Sequence, residues 1–378
     1  AVLLRTMVFV YGRLSVTVAI IYQFSLGYVL LGVTCYARNI NNNKYHNNTP
    51  SFFIFGDSLV DAGNNNYLTT GVKAGFPNGI DFGYPFGVAS GRFTNGKTVT
   101  DILGQAVGLK DFTLPYLDPK ATGDAILKGV NYASAASGIL NDTEWFLGFQ
   151  IHLDEQISDY AKTRQEIISM VGEKEAKNLF RMGLYIIVAG SNDVMFGQQS
   201  SWDSFLETAI SRLRSQLTRL SNLDARKIVV ANSPGVGCIP FERNLYASVS
   251  GCVNFMNRRA QQYNERLGAL LAELNSKFKD STFVYANVYS MLDDMLQNHV
   301  SYGFEVADSA CCHVGGGSRG GLLPCGGLSQ VCPDRSKYVF WDPFHLTQSA
   351  YSIIAMQMMG GGLNYMSPVN VRQLLQLK

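Results

Sequence analysis

Three short stretches of this chain carry residue types that could act together on an acyl carbonyl. Gly56-Asp57-Ser58-Leu59 directly follows an apolar run, and a serine on so tight a turn is open for attack. Gly56 lets the backbone bend there. The same serine also fits an ordinary helix cap, and Gly-Asp-Ser alone does not choose between the two. Asp342-Pro343-Phe344-His345 lies late in the chain. An aspartate three residues ahead of a histidine can turn back onto its Nδ1–H, leaving Nε2 as a base towards a serine. His46, His152, His299 and His313 have no acidic residue at that spacing. Gly190-Ser191-Asn192-Asp193 closes another apolar run. Its Asn192 amide could donate to a developing oxyanion, or simply serve a turn. Nucleophile, base, orienting carboxylate and oxyanion donor are the parts of serine acyl transfer.

The elements that must position them read as an alternation of strands and helices. Residues 51–55, 130–133, 184–189, 227–231 and 282–286 are short, largely apolar and rich in β-branched or aromatic side chains. Such runs suit parallel strands buried on both faces. Trp202, Phe205, Leu206, Ala209, Ile210, Leu213, Leu217 and Leu220 recur at helical spacing, marking one buried face. Phe255, Tyr263, Leu267, Leu270, Leu271, Leu274 and Phe278 repeat the pattern, and a last amphipathic stretch begins just after His345. The expected fold is therefore α/β: a single doubly wound, flavodoxin-like domain over 50–378, with a five-stranded parallel sheet flanked by helices. Functional groups gather at the carboxyl ends of such strands, where Ser58 and Asn192 fall. Stretches 71–96 and 311–327, rich in Gly and Pro, read as long surface loops.

Composition narrows the setting. Of 378 residues, 47% are hydrophobic and 16% charged, ample for one large core. Residues 1–37 read as a secretory signal peptide, with Arg5 and Arg13 ahead of an apolar run over 14–36 and small residues Cys35 and Ala37 before Arg38. The rival reading is an uncleaved signal anchor, the one route by which this chain would contact a membrane. Residues 38–49 read as a disordered Asn-rich leader. Without Arg5 and Arg13 the charge is balanced, which excludes an electrostatic footprint for nucleic acid. Of seven cysteines, six lie beyond the signal: Cys238, Cys252, Cys311, Cys312, Cys325 and Cys332. An even count in an exported chain implies bridges. Cys238 is expected to pair with Cys252, and Cys311 and Cys312 each with Cys325 or Cys332, in either combination. A zinc site from the last four lacks the usual ligand spacing. Asn47 and Asn141 head glycosylation sequons.

Five blocks in order resemble the plant GDSL esterase/lipase family, part of the SGNH hydrolase superfamily, over nearly all of residues 50–365. They are Phe-Gly-Asp-Ser-Leu-Val-Asp-Ala-Gly-Asn-Asn-Asn (55–66), Gly-Arg-Phe-Thr-Asn-Gly-Lys (91–97), Asn-Tyr-Ala-Ser-Ala-Ala-Ser-Gly (131–138), Gly-Ser-Asn-Asp (190–193) and Trp-Asp-Pro-Phe-His (341–345). The resemblance implies that Ser58 is the nucleophile, Asp342 the orienting carboxylate and His345 the base. It also implies an oxyanion hole of the Ser58 and Gly138 backbone N–H groups and the Asn192 side chain. Gly138 enters on the resemblance alone. Leu346-Thr347-Gln348 departs from the family's usual Pro-Thr-Glu, outside the catalytic set.

The expectation is a secreted, extracellular serine ester hydrolase of the apoplast or cell wall, acting on lipid or small carboxylic esters through an acyl-enzyme. No cofactor, metal or obligate protein partner is implied. Acyl transfer to a hydroxyl acceptor by the same residues is the alternative, and an inactive secreted binding protein a further one. Residues 91–98 match the phosphate-loop pattern letter for letter, but no buried strand precedes them. Phe76, Phe82, Tyr84 and Phe86 could line an acyl groove or pack their loop onto the core.

Overall fold

Alternate side chains of a strand point to opposite faces, so a run that is apolar throughout must be covered twice. Four strands obey this: β1 (Phe52–Gly56), β2 (Leu184–Val188), β3 (Lys227–Ala231) and β4 (Thr282–Ala286), the first three buried along their whole length. The computed structural model describes residues 49–83, 90–143, 148–197, 201–247, 251–315 and 319–377. The signal reading, the leader up to residue 48 with Asn47, and Tyr84 and Phe86 lie outside the described residues.

In chain order the first helices are α1 (Asn64–Tyr67), α2 (Val99–Ala106), α3 (Leu153–Val171), α4 (Glu173–Met182) and α5 (Ser191–Phe196). Then come α6 (Trp202–Asn222), α7 (Pro240–Leu245), α8 (Asn254–Lys277) and α9 (Val288–Gln297). Short strands β5 (Val306–Ala310), β6 (Cys312–His313), β7 (Gln330–Val331) and β8 (Tyr338–Phe340) precede α10 (Gln348–Gly360), β9 (Met366–Ser367) and α11 (Val371–Gln376). Among the described residues no helix is long and apolar enough to cross a membrane.

The central sheet has the order β1-β2-β3-β4-β9, with β1 to β4 parallel and β9 antiparallel to β4. Phe53, Phe55, Tyr185, Ile187, Ile228 and Val230 meet α3, α4, α6 and α8 on one face. Phe52, Ile54, Ile186, Val188, Val229 and Val284 meet α2, α9, α10 and α11 on the other. The α/β class and the helix-flanked, mostly parallel five-stranded sheet thus match expectation, and one strand differs. Residues 130–133 do not form a full strand. They run beside β1, where Val130 O accepts from Ile54 N and Tyr132 N donates to Ile54 O. Asn131 makes only isolated parallel bridges, to Ile54 and to Pro115, with its N–H on Leu114 O and its carbonyl on Tyr116 N, while its side chain bonds Val60 O and Ala133 N. The fifth strand is the two-residue β9.

Two smaller expectations also change. Phe255 is exposed, set edge-on to Tyr246, and Met256 and Ala260 carry the buried face of α8 in its place. The stretch 71–96 is not wholly surface, since Asn78, Arg92, Phe93, Thr94 and Asn95 are buried. Three disulfides close, Cys238–Cys252, Cys311–Cys332 and Cys312–Cys325, which resolves the open pairing and uses the four cysteines of the rejected zinc reading.

Candidate active site

Ser58 sits one turn beyond the carboxyl end of β1, half-buried. Gly56 makes that turn with φ of 144°, and a Cβ there would stand 2.0 Å from Val188 O, so only glycine fits. Gln156 of α3 grips the turn from below. Its Oε1 accepts from Gly56 N and its Nε2 donates to Gly56 O, both at 2.8 Å. Asp57, not Ser58, does the local capping, accepting the Leu59 amide on Oδ1 at 3.0 Å. Asp57 Oδ2 is buried with no partner among the described residues, and burial raises this carboxyl to about 7. Freed from capping, the Ser58 Oγ lies 2.9 Å from His345 Nε2.

The imidazole is held from behind. His345 Nδ1 lies 2.8 Å and 3.0 Å from the two Asp342 carboxylate oxygens. Asp342 is fully buried, and its Oδ1 also accepts the Phe344 and His345 amides, both at 2.9 Å. A carboxylate on Nδ1 fixes the tautomer with its proton there and leaves Nε2 to face the hydroxyl. Phe93, from the 91–97 block, packs its ring 5.4 Å from the imidazole, centroid to centroid.

Asn192 stands in the first turn of α5, just past β2. Its side chain makes no helix cap. Instead Nδ2 donates to Ser137 O at 2.9 Å, joining α5 to the segment that carries Gly138. Asp193 anchors the same segment, accepting Ile139 N at 2.9 Å, Leu140 N at 3.0 Å and the Thr143 hydroxyl at 2.8 Å. Burial raises the Asp193 carboxyl above its ordinary range. Gly138 is packed so closely that a Cβ would meet the Thr143 hydroxyl at 2.4 Å. Its N–H points at His152 Nδ1, 3.3 Å away, and burial lowers the proton affinity of that ring. Ser58 N–H donates to no acceptor among the described residues.

The run Asp61 to Asn65 locks these pieces together. Asp61 accepts from Gly63 N, Asn64 N and, across the fold, Ala135 N. Asn64 Nδ2 bonds the carbonyls of Asn131 and Ala133, while Asn65 exchanges bonds with both polar groups of Ala135. Burial raises Asp61 to about 6. Amide side chains supply a donor and an acceptor each, which is what strapping two irregular segments requires.

Ser58, Asp342, His345, Asn192 and Gly138 therefore converge at one end of the sheet. The other motifs go elsewhere. In the phosphate-loop look-alike, Arg92 makes a buried bidentate pair with Asp101, and Lys97 Nζ reaches Gln105. Thr94 and Asn95 of the same segment bond Leu346 O and Gln348 N, at the start of α10. Gln348 accepts the Lys97 amide, so the departure from Pro-Thr-Glu is absorbed at the helix start. Phe82 packs on Phe112 beneath the Arg92 guanidinium and Phe76 is exposed, so neither joins the converged residues. Asn141 is exposed, whereas Thr143 of its sequon is buried. Sequence reasoning passed over Gln156 and Asp193. Asp193 lay within the Gly-Ser-Asn-Asp block, and a carboxylate next to the proposed donor was its signal; Gln156 left none.

A family model described as GDSL-like Lipase/Acylhydrolase matches residues 52–358. GDSL esterase/lipase At4g16230 of Arabidopsis thaliana is 49% identical over 342 residues, covering 87% of this chain and 92% of the relative. GDSL esterase/lipase At2g23540 of the same plant is 40% identical, covering 96% and 97%. GDSL esterase/lipase At3g50400, also from Arabidopsis thaliana, is 42% identical, covering 86% and 91%.

Proposed function

Since this chain belongs to the GDSL lipase/acylhydrolase family and is a carboxylic ester hydrolase, we propose that it works through Ser58, His345 and Asp342 by way of an acyl-enzyme. Ser58 Oγ attacks the ester carbonyl carbon as its proton passes to His345 Nε2, and Asp342 stabilises the imidazolium. The tetrahedral oxyanion accepts from Ser58 N–H and from the second Nδ2 hydrogen of Asn192. Gly138 N–H is the third donor. It must leave His152 Nδ1 to serve, and a full negative charge outcompetes a neutral ring nitrogen for it. Collapse breaks the bond to the alcohol, which departs with the proton from His345. Water, deprotonated by the same nitrogen, then releases the carboxylic acid from Ser58.

The observation that carries this reading is the unbroken line from Ser58 Oγ through His345 to buried Asp342, with contacts of 2.9 and 2.8 Å. The test is a panel of acyl esters, varied in chain length and alcohol, run on purified protein with and without an added alcohol acceptor. Wild type should release free acid, and Ser58→Ala should lose more than about a hundredfold in rate. Acyl product formed mainly on the acceptor would replace hydrolysis with transfer; full activity in Ser58→Ala would end the assignment.

The three disulfides fit an extracellular protein. We read residues 1–37 as a signal removed on export. Mass spectrometry of secreted protein should find a new N-terminus near Arg38, and retention of 14–36 in a membrane fraction would favour the anchor instead.

A further inference from the structure

Asp342 takes most of its hydrogen bonds from its own turn, the amides of Phe344 and His345 and the imidazole itself. Among the described residues a single donor reaches it from outside that turn: Cys325 N–H, 3.2 Å from Oδ2. Cys325 is a loop residue, and a loop amide holds a fixed aim only if something fixes the loop. Two ties do. Its sulfur is bonded to Cys312, whose own N–H donates to Trp341 O at 2.6 Å. Its carbonyl accepts from Asn78 Nδ2 at 3.1 Å, and Asn78 Oδ1 accepts from Trp341 Nε1 at 2.8 Å. Trp341 immediately precedes Asp342. Both ties thus return to Trp341, one at its carbonyl and one at its indole, closing two rings through Cys325, and Asn78, Cys312 and Trp341 are wholly buried.

We propose that the Cys312–Cys325 bridge and Asn78 form a positioning clamp that aims Cys325 N–H at Asp342, so that this bridge serves turnover as well as stability. The inference rests on the reading of Asp342 as the orienting carboxylate. A carboxylate free to rotate spreads its charge away from Nδ1–H, whereas one whose far oxygen is pinned keeps both oxygens on the imidazole. The Cys311–Cys332 bridge lies next to the clamp in sequence, yet neither half-cystine donates to Asp342. It is the natural control.

The test compares six proteins on one ester substrate: wild type, Asn78→Ala, the pair Cys312→Ala/Cys325→Ala, the pair Cys311→Ala/Cys332→Ala, Asp342→Ala, and Asp342→Ala combined with Asn78→Ala. The clamp predicts that Asn78→Ala and the Cys312/Cys325 pair each lower kcat about tenfold, with KM within about twofold. The Cys311/Cys332 pair should lower the melting temperature and keep kcat within about twofold. Adding Asn78→Ala to Asp342→Ala should cost no further rate, because the clamp acts only through that carboxylate. If the cysteine pair does not fold, Asn78→Ala and its combination with Asp342→Ala decide alone. Wild-type kcat in Asn78→Ala, or an equal further loss in the Asp342→Ala background, overturns the clamp. An inactive wild type would overturn the esterase mechanism itself, which keeps the two failures apart.

Discussion

Asn192 Nδ2 donates to Ser137 O across 2.9 Å, which fixes the amide plane and spends one of its two hydrogens. The other hydrogen is the proposed oxyanion donor. Asn192→Ala should therefore lower kcat by about 10²–10³ with KM nearly unchanged, as loss of a bond made only in the transition state does. Steady-state kinetics beside a thermal melt checks this. A lowered melting temperature with near-normal kcat would leave the Ser137 contact as the whole role of Asn192.

Asp193 is expected to matter through the segment it holds. Its carboxylate takes two amides and a hydroxyl from residues 139 to 143, and removing it strands buried donors at about 1–3 kcal/mol each. Asp193→Ala should melt well below wild type, and its folded fraction should lose kcat through a misplaced Gly138. Asp193→Asn, which keeps one carbonyl acceptor, should fall between the two. Equal kcat in all three proteins would detach the 138–143 segment from catalysis.

Asp57 makes a prediction about pH. Burial raises it to about 7 in the fold, against about 4 in the unfolded chain. Between those values the folded state binds more protons, so stability falls as pH rises. The contribution is complete below about pH 4 and gone above about pH 7. Asp57→Asn does not titrate and keeps an acceptor for the Leu59 amide. In urea unfolding, wild type should lose stability relative to Asp57→Asn between about pH 4 and about pH 7, by on the order of a few kcal/mol. Asp61 and Glu242, raised by burial to about 6 and about 7, titrate in both proteins and cancel in the difference. Parallel stability curves would contradict the raised value.

Asp342→Asn should be among the most damaging single-atom changes. Asp342 Oδ1 faces two backbone amides and Oδ2 a third, so an asparagine NH₂ on either side meets a donor. The imidazole is then held in the wrong tautomer or not held, a loss of about 10⁴ in kcat in comparable triads. Activity within about tenfold of wild type would remove the carboxylate from the mechanism.

What the chain discloses before folding follows from where information is local. The strands at 52, 184, 227 and 282 are apolar on both faces, a signal contained in five consecutive residues. Ser58 and Asn192 become candidates by position, each just past such a run, but position leaves a cap or a turn equally open and the family resemblance gives them their proposed roles. The two-residue β9 has no periodicity to read, and Asn131 spends its side chain on the backbone in a way no pattern predicts. Phe255 continued the helical spacing of α8 but lies on its outer side, because spacing gives a face and not its limit. Cys325 and Cys332 were equivalent partners in sequence; their distances in the fold separate them. Gln156 and Asn78 are invisible in the sequence, since the partners that give each its place here, Gly56 for one and Cys325 and Trp341 for the other, lie a hundred or more residues away.

The central claim, that Ser58 is the activated nucleophile, is tested most directly with a fluorophosphonate, which bonds covalently to an activated serine as fluoride leaves. The measurement is mass spectrometry of the labelled protein and its peptides. The account predicts one adduct per chain, on the peptide containing Ser58, absent from Ser58→Ala and formed far more slowly by His345→Ala. An adduct on another serine, or undiminished labelling of Ser58→Ala, would contradict it.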